Sequence, residues 1–194
     1  MYYKENLKKM SKADLCRLSV ELCTEFLQLN NLTVPKYVIF RQESSPGGYC
    51  GLYTNNLIRV WASNVAKIAF VPFMRSWSYP GYKVDRTGMG VVAHETGHHV
   101  VKEARLINKL SLQLCRTISQ EKLTGYEPNL DEVLAETLRI FILNPDLLRK
   151  IAPNRYKFLI DAGLKPLIKD DWETVMKNAD AKYISAVKKS IKIL

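Results

Sequence analysis

The chain contains three histidines, and all of them fall in one short run, Val91-Val-Ala-His-Glu-Thr-Gly-His-His-Val100. On an α-helix His94 and His98 differ by about 40° in azimuth and about 6 Å in rise, so both imidazoles can reach one tetrahedral ion. Glu95 lies about 100° round from His94, beside such an ion rather than on it. A carboxylate placed there can take a proton from a water that the ion has acidified, which makes Glu95 the candidate general base. His99 points about 100° away from His98 and is not a candidate ligand. Gly97 lowers helix propensity by about 1 kcal/mol relative to alanine, so its place just before His98 implies that another element approaches closely there.

A catalytic ion of this kind takes three protein ligands and keeps a fourth position for water. With no other histidine in the chain, the third ligand is a carboxylate or, as the weaker option, a cysteine. Glu103 shares the helix but lies about 180° from His94, so it does not close the site. Downstream, Asn129-Leu-Asp-Glu-Val-Leu-Ala-Glu-Thr137 places Glu132 and Glu136 one turn apart on a helix made apolar by Leu134, Leu138, Phe141 and Ile142. Two acids on a buried face are costly unless a cation meets them. Spacing alone does not choose between the two. For a substrate oxygen that gains negative charge, Tyr82, Arg86, Tyr126 and Arg139 all have suitable chemistry.

The elements that must position these residues can be read from periodicity. Ser11 with Asp14 three residues on is a helix start, and Leu15, Leu18, Leu22, Phe26 and Leu29 recur behind it at helical spacing. From Val34 to Trp61 the texture changes to short β-branched and aromatic runs, Tyr37 to Phe40, Tyr49 to Tyr53 and Leu57 to Trp61. Turn residues at Ser44 to Gly48 and Thr54 to Asn56 separate them, which predicts a small, mostly antiparallel sheet. Analogy with other folds, not the pattern itself, makes the Leu57–Trp61 strand the expected edge for an extended substrate. The aromatic segment 62–88 reads as a long loop. Helices are expected over Gly90 to Ala104, Ile107 to Lys122, Leu130 to Leu143, Arg155 to Ala162, Asp171 to Asn178 and Ala181 to Ile193. The predicted class is α+β, with the sheet first and the helices after.

Composition sets the frame. At 194 residues, 47% hydrophobic and 25% charged, the chain fits one globular domain that buries roughly 70% of its unfolded surface. Neither disulfides nor a structural metal is then needed, so a metal here is expected to be functional. The four cysteines form no CxxC pair, and reduced, buried thiols are expected. Charges interrupt every apolar stretch, and the first residues, Met-Tyr-Tyr-Lys-Glu-Asn, hold no apolar run, which predicts an unexported protein with no membrane partner. The net charge of +10 favours acidic partners, but its lysines and arginines are spread along the chain without a nucleic-acid-binding signature. Nucleic acid is therefore not the favoured partner.

His94-Glu-Thr-Gly-His98 followed by Glu132-Val-Leu-Ala135-Glu136 resembles the gluzincin arrangement of zinc metallopeptidases, HExxH followed by a helix carrying ExxA. The run from Ala135 through Leu143-Asn-Pro145 is similar in spacing to the ImmA/IrrE-like peptidases, which are typically encoded by phages, mobile elements and bacteria. The first helix and small sheet are similar too, so the resemblance covers roughly residues 11 to 150. Arg155 to Pro166 followed by Trp172 is similar to the tail of phage-type metallopeptidases. The resemblance implies a single zincin-like domain over 1–194, with a catalytic core at 11–150 and a C-terminal helical extension at 151–194. It implies one zinc per chain on His94, His98 and Glu132, with Glu95 as base and Glu136 holding a ligand histidine. Position 136 is Glu where Asp or Asn is usual in the family. The implied activity is cytoplasmic hydrolysis of a protein or peptide substrate, a regulatory protein among the candidates, inside a bacterium or phage host. The competing reading is a non-catalytic binding module of the same fold, with a protein or nucleic-acid partner or a place in phage assembly. A scaffold has no need of Glu95.

Overall fold

The structure, a computed structural model, describes residues 11–65, 86–124 and 126–167. The helices expected after residue 170, and most of the aromatic segment with Tyr82, lie outside the described residues. The first helix, α1, spans Lys12–Leu29, and Ser11 caps it by accepting from the Asp14 backbone N–H at 3.1 Å. Its apolar stripe of Leu15, Leu22, Phe26 and Leu27 is buried, as the spacing requires.

Three strands follow, β1 at Lys36–Phe40, β2 at Gly51–Thr54 and β3 at Leu57–Trp61, arranged in the order β1-β3-β2. β2 and β3 form an antiparallel hairpin whose turn residues Asn55 and Asn56 both adopt positive φ, 48° and 59°, the conformation asparagine tolerates best among residues with a side chain. β1 pairs with β3 in parallel, Lys36 opposite Leu57 through Phe40 opposite Trp61. The sheet is therefore mixed, which corrects the expected mostly antiparallel one. The chain after β1 passes to the far side of the β3 position before β2 turns back, so β3 fills the gap running in the same direction as β1. β3 is also central, and the sheet edge beside the candidate site belongs to β2.

The helices are α2 at Gly88–Glu103, α3 at Leu112–Gln120, α4 at Leu130–Leu143, α5 at Pro145–Ile151 and α6 at Pro153–Asp161. The single helix expected from Ile107 is split. Residues Leu106–Lys109 form one 3₁₀ turn, and Ser111 caps a new helix by accepting from Leu114 N at 3.1 Å. Pro145 does not merely end α4. It opens α5, with Asn144 as cap, because a proline is well placed where no intrahelical N–H is required. No helix among the described residues is long and apolar enough to cross a membrane. The four cysteines are free, Cys16 and Cys23 fully buried and Cys50 and Cys115 half-buried. Burial pushes the Cys16 thiol up to about 12 and that of Cys23 to about 11, which makes both unreactive.

α2 lies at the centre, packed on α1, α4 and the sheet. Phe26 of α1 meets Phe141 of α4 edge to face, with centroids 6.0 Å apart. α2 and α4 touch backbone to backbone at Gly97, where a Cβ would stand 2.8 Å from the Ala135 carbonyl oxygen and 3.0 Å from its Cα. This is the close approach that Gly97 implies, and it brings the histidine turn of α2 against the glutamate turn of α4.

The N-terminal end of α4 is held by a buried ion pair. Arg155 is 1% exposed and donates to both carboxylate oxygens of Glu127 at 2.9 and 3.0 Å, to the Ile118 carbonyl at 2.9 Å and to Thr137 Oγ1 at 3.1 Å. These bonds tie the end of α3, the segment before α4 and the start of α6 together. Arg155→Ala leaves Glu127 buried and unpaired, so we expect a loss of about 3–5 kcal/mol in denaturant titration. The double variant Arg155→Ala/Glu127→Ala is expected to be less destabilised than Arg155→Ala alone.

Candidate metal centre

Thr87 starts α2 by accepting from Gly90 N at 3.1 Å, and the helix continues through His94 and His98 one turn apart on the face toward α4. Asn129 starts α4 by accepting from Glu132 N at 3.0 Å, which sets Glu132 in the first turn. Because the helices meet at Gly97 and Ala135, three donor atoms converge between them. His94 Nε2 lies 3.2 Å from His98 Nε2 and 3.1 Å from Glu132 Oε2, and His98 Nε2 lies 3.6 Å from the same carboxylate oxygen.

The other ring nitrogen of each histidine is already engaged. His94 Nδ1 is 2.7 Å from Glu136 Oε1, and His98 Nδ1 is 2.7 Å from Asp131 Oδ2. Carboxylates accept, so both Nδ1 atoms donate and both Nε2 atoms carry lone pairs in the neutral rings. Two lone pairs and a carboxylate oxygen then face one another, and Glu132 Oε2 is buried with no hydrogen-bond donor. This arrangement is repulsive until a cation joins it. Bonds of about 2.0–2.1 Å to a tetrahedral ion put neighbouring donors about 3.3 Å apart, which is the spacing found. His94, His98 and Glu132 can therefore hold a metal ion.

The electrostatics agree. Burial depresses the imidazoles, but neighbouring carboxylates outweigh it, Glu132 and Glu136 raising His94 to about 9 and Asp131 and Glu132 raising His98 to about 10. Burial raises Glu132 while the two imidazoles hold it at about 2. Glu136 is fully buried and lies well below the usual carboxylate range, because Arg139 and His94 outweigh its desolvation. Each of these shifts records a site in which positive charge is favoured, whether it arrives as protons or as a metal ion. Arg139, also fully buried, donates Nε and Nη2 to the two Glu136 oxygens at 3.0 and 2.9 Å. It offsets Glu136 and so is no longer available to a substrate.

Glu95 is buried beside the three donors and makes none of these contacts. Desolvation raises its carboxyl above the ordinary range, with the imidazoles working in the other direction. Two cavities of about 210 and 430 Å³ open over the site and share Tyr49, Gly51, His94, Glu95 and Tyr126. Arg86 lines the smaller one and Lys102 the larger. Tyr126 is half-exposed, with its ring 6.1 Å from that of His94, and desolvation and nearby Glu132 raise its phenol, which keeps it a donor. Of the four oxyanion candidates, Tyr126 and Arg86 thus stand at the site. His99 is buried away from it, Nε2 2.7 Å from the Thr33 carbonyl oxygen.

Asp131 is the site residue that sequence reasoning missed. It sits half-exposed in the first turn of α4, where an acid ordinarily serves the helix dipole. Its one signal was adjacency to Glu132. Comparisons with protein-family models, curated proteins and solved structures find no match to this chain.

The geometry orders the effects of substitution. Glu132→Ala removes a donor atom and is expected to abolish stoichiometric metal binding in a chelator competition. Glu136→Ala and Asp131→Ala each remove only the partner of a ligand imidazole, so each is expected to weaken affinity about 10–100-fold. If Glu136→Ala releases the metal while Glu132→Ala retains it, the donor set is wrong.

Proposed function

We propose that the chain is a zinc-dependent endopeptidase of the gluzincin, ImmA/IrrE-like type. The observation that carries this reading is the convergence of two imidazole nitrogens and a carboxylate oxygen on one point, with a separate buried carboxylate, Glu95, alongside. Two neutral imidazoles and one carboxylate suit a borderline-soft dication such as zinc, one per chain. When bound there, zinc supplies acidification of the attacking water and polarisation of the scissile carbonyl.

The residues of the chain do the rest. Glu95 accepts the proton of the attacking water and later delivers it to the leaving amine. Tyr126 and Arg86 provide donors for the oxygen that gains negative charge. Asp131 and Glu136 keep the two imidazoles in the tautomer and orientation that present Nε2. The two cavities share Glu95 and its neighbours among their lining residues, which leaves room for a peptide segment beside the base. Among the described residues β2 is an edge strand that lines the larger cavity, and its backbone, which already meets Glu95 at Tyr53, can receive an extended chain. The substrate class is then a protein segment able to become extended, and the setting implied by the resemblance is the cytoplasm of a bacterium or phage host.

Glu95→Gln keeps the size of the side chain but cannot take the proton. We expect it to bind zinc with wild-type stoichiometry and to hydrolyse members of a peptide library at least about 100-fold more slowly. Unchanged turnover in this variant contradicts the proposal, as does an inactive wild-type protein with a full complement of zinc.

A further inference from the structure

β2 crosses the histidine helix at Gly51. A Cβ at this position would stand 2.7 Å from Cγ and from Oε1 of Glu95, and 2.7 Å from Cγ1 of Val91 one turn earlier on α2. Real side chains do not pack at such distances, so a residue other than glycine at 51 displaces what lies below it. The backbone itself does not call for glycine. Positive φ among the described glycines occurs at Gly47, Gly48 and Gly163, whereas Gly51 lies in a regular strand opposite Val60. Glycine in a strand forfeits backbone entropy and side-chain packing, so the missing side chain marks a close approach.

Neither element is free to yield. The strand is pinned at its neighbour, where the Cys50 carbonyl accepts from Trp61 N at 3.0 Å and Cys50 Sγ donates to the Asn64 carbonyl at 3.3 Å. α2 is pinned on its other side by the backbone contact of Gly97 with Ala135. What can yield is the side chain of Glu95, whose carboxylate also accepts from the Tyr53 backbone N–H of β2. Gly51 also borders both cavities together with Glu95.

We infer that Gly51 is a positioning residue for the general base: it leaves the volume in which the Glu95 side chain lies, and so keeps the carboxylate beside the metal-facing donors. This rests on the role proposed for Glu95. The atoms nearest a Cβ at Gly51 belong to Glu95 and Val91 and none to the three metal-facing donors, so base placement and metal binding are separable in this account.

Zinc-reconstituted wild type, Gly51→Ala, Val91→Ala and Gly51→Ala/Val91→Ala would be compared by crystal structure, zinc affinity and kinetics on the best library peptide. Val91→Ala relieves the second contact and guards against failure of the single variant to fold. In both Gly51→Ala variants we expect zinc affinity within about threefold of wild type and the Glu95 carboxylate displaced by about 1 Å or more. Such a displacement should lower kcat about 100-fold with KM little changed, because catalysis depends steeply on geometry at that scale. A Glu95 carboxylate in its wild-type place in the double variant overturns the inference, and so does zinc affinity falling in step with kcat. If wild type itself cleaves nothing, the peptidase reading fails, and the crystal structures still decide whether Gly51 seats Glu95.

Discussion

Three electron-rich atoms, His94 Nε2, His98 Nε2 and Glu132 Oε2, are held within 3.1 to 3.6 Å of one another in a partly dry site. In neutral form they repel, and the fold around them makes sense as the apparatus that opposes this repulsion. Glu136 and Asp131 each take the outer N–H of one imidazole and turn its lone pair inward. Arg139 offsets the charge of Glu136, which leaves Glu95, Asp131 and Glu132 around the two imidazoles. A dication answers that balance, and the rise of both imidazoles above their ordinary range expresses the same demand when protons are the only cations.

The placement depends on backbone contact as much as on charge. Gly97 lets α4 come close enough for carboxylates of ordinary length to reach imidazoles on α2, and an added methyl would strike the Ala135 carbonyl. The Asn129 cap sets the first turn of α4, and the pairing of Arg155 with Glu127 anchors the segment that enters it and carries Tyr126. The site is thus assembled from the ends and crossings of three elements, α2, α4 and β2, none of which is strained among the described residues to achieve it.

Much of this was legible in the chain because helical periodicity converts spacing into direction. His94, His98 and Glu95 are fixed relative to one another by one helix, so their relative directions followed from arithmetic. Glu132 and Glu136 share a face of another helix, and only the crossing at Gly97 and Ala135 decides which reaches the three-atom focus and which reaches His94 Nδ1. Asp131 was hidden because an acid in a first helical turn has an ordinary explanation. The parallel pairing of β1 with β3 was hidden because two extended runs carry no sign of their relative direction. α5 went unpredicted because a proline after an apolar helical run marks a helix end as readily as a first residue.

The account turns on what the three atoms bind, and X-ray absorption at the zinc edge of the reconstituted protein tests that most directly. The expected spectrum shows one zinc per chain with nitrogen and oxygen neighbours at about 2.0–2.1 Å and outer-ring scattering from two imidazoles. A sulfur neighbour at about 2.3 Å would instead bring a cysteine such as Cys50, which lines the same cavity as Glu95, into the donor set. That result, or the absence of any ordered zinc shell, would contradict the assignment of His94, His98 and Glu132.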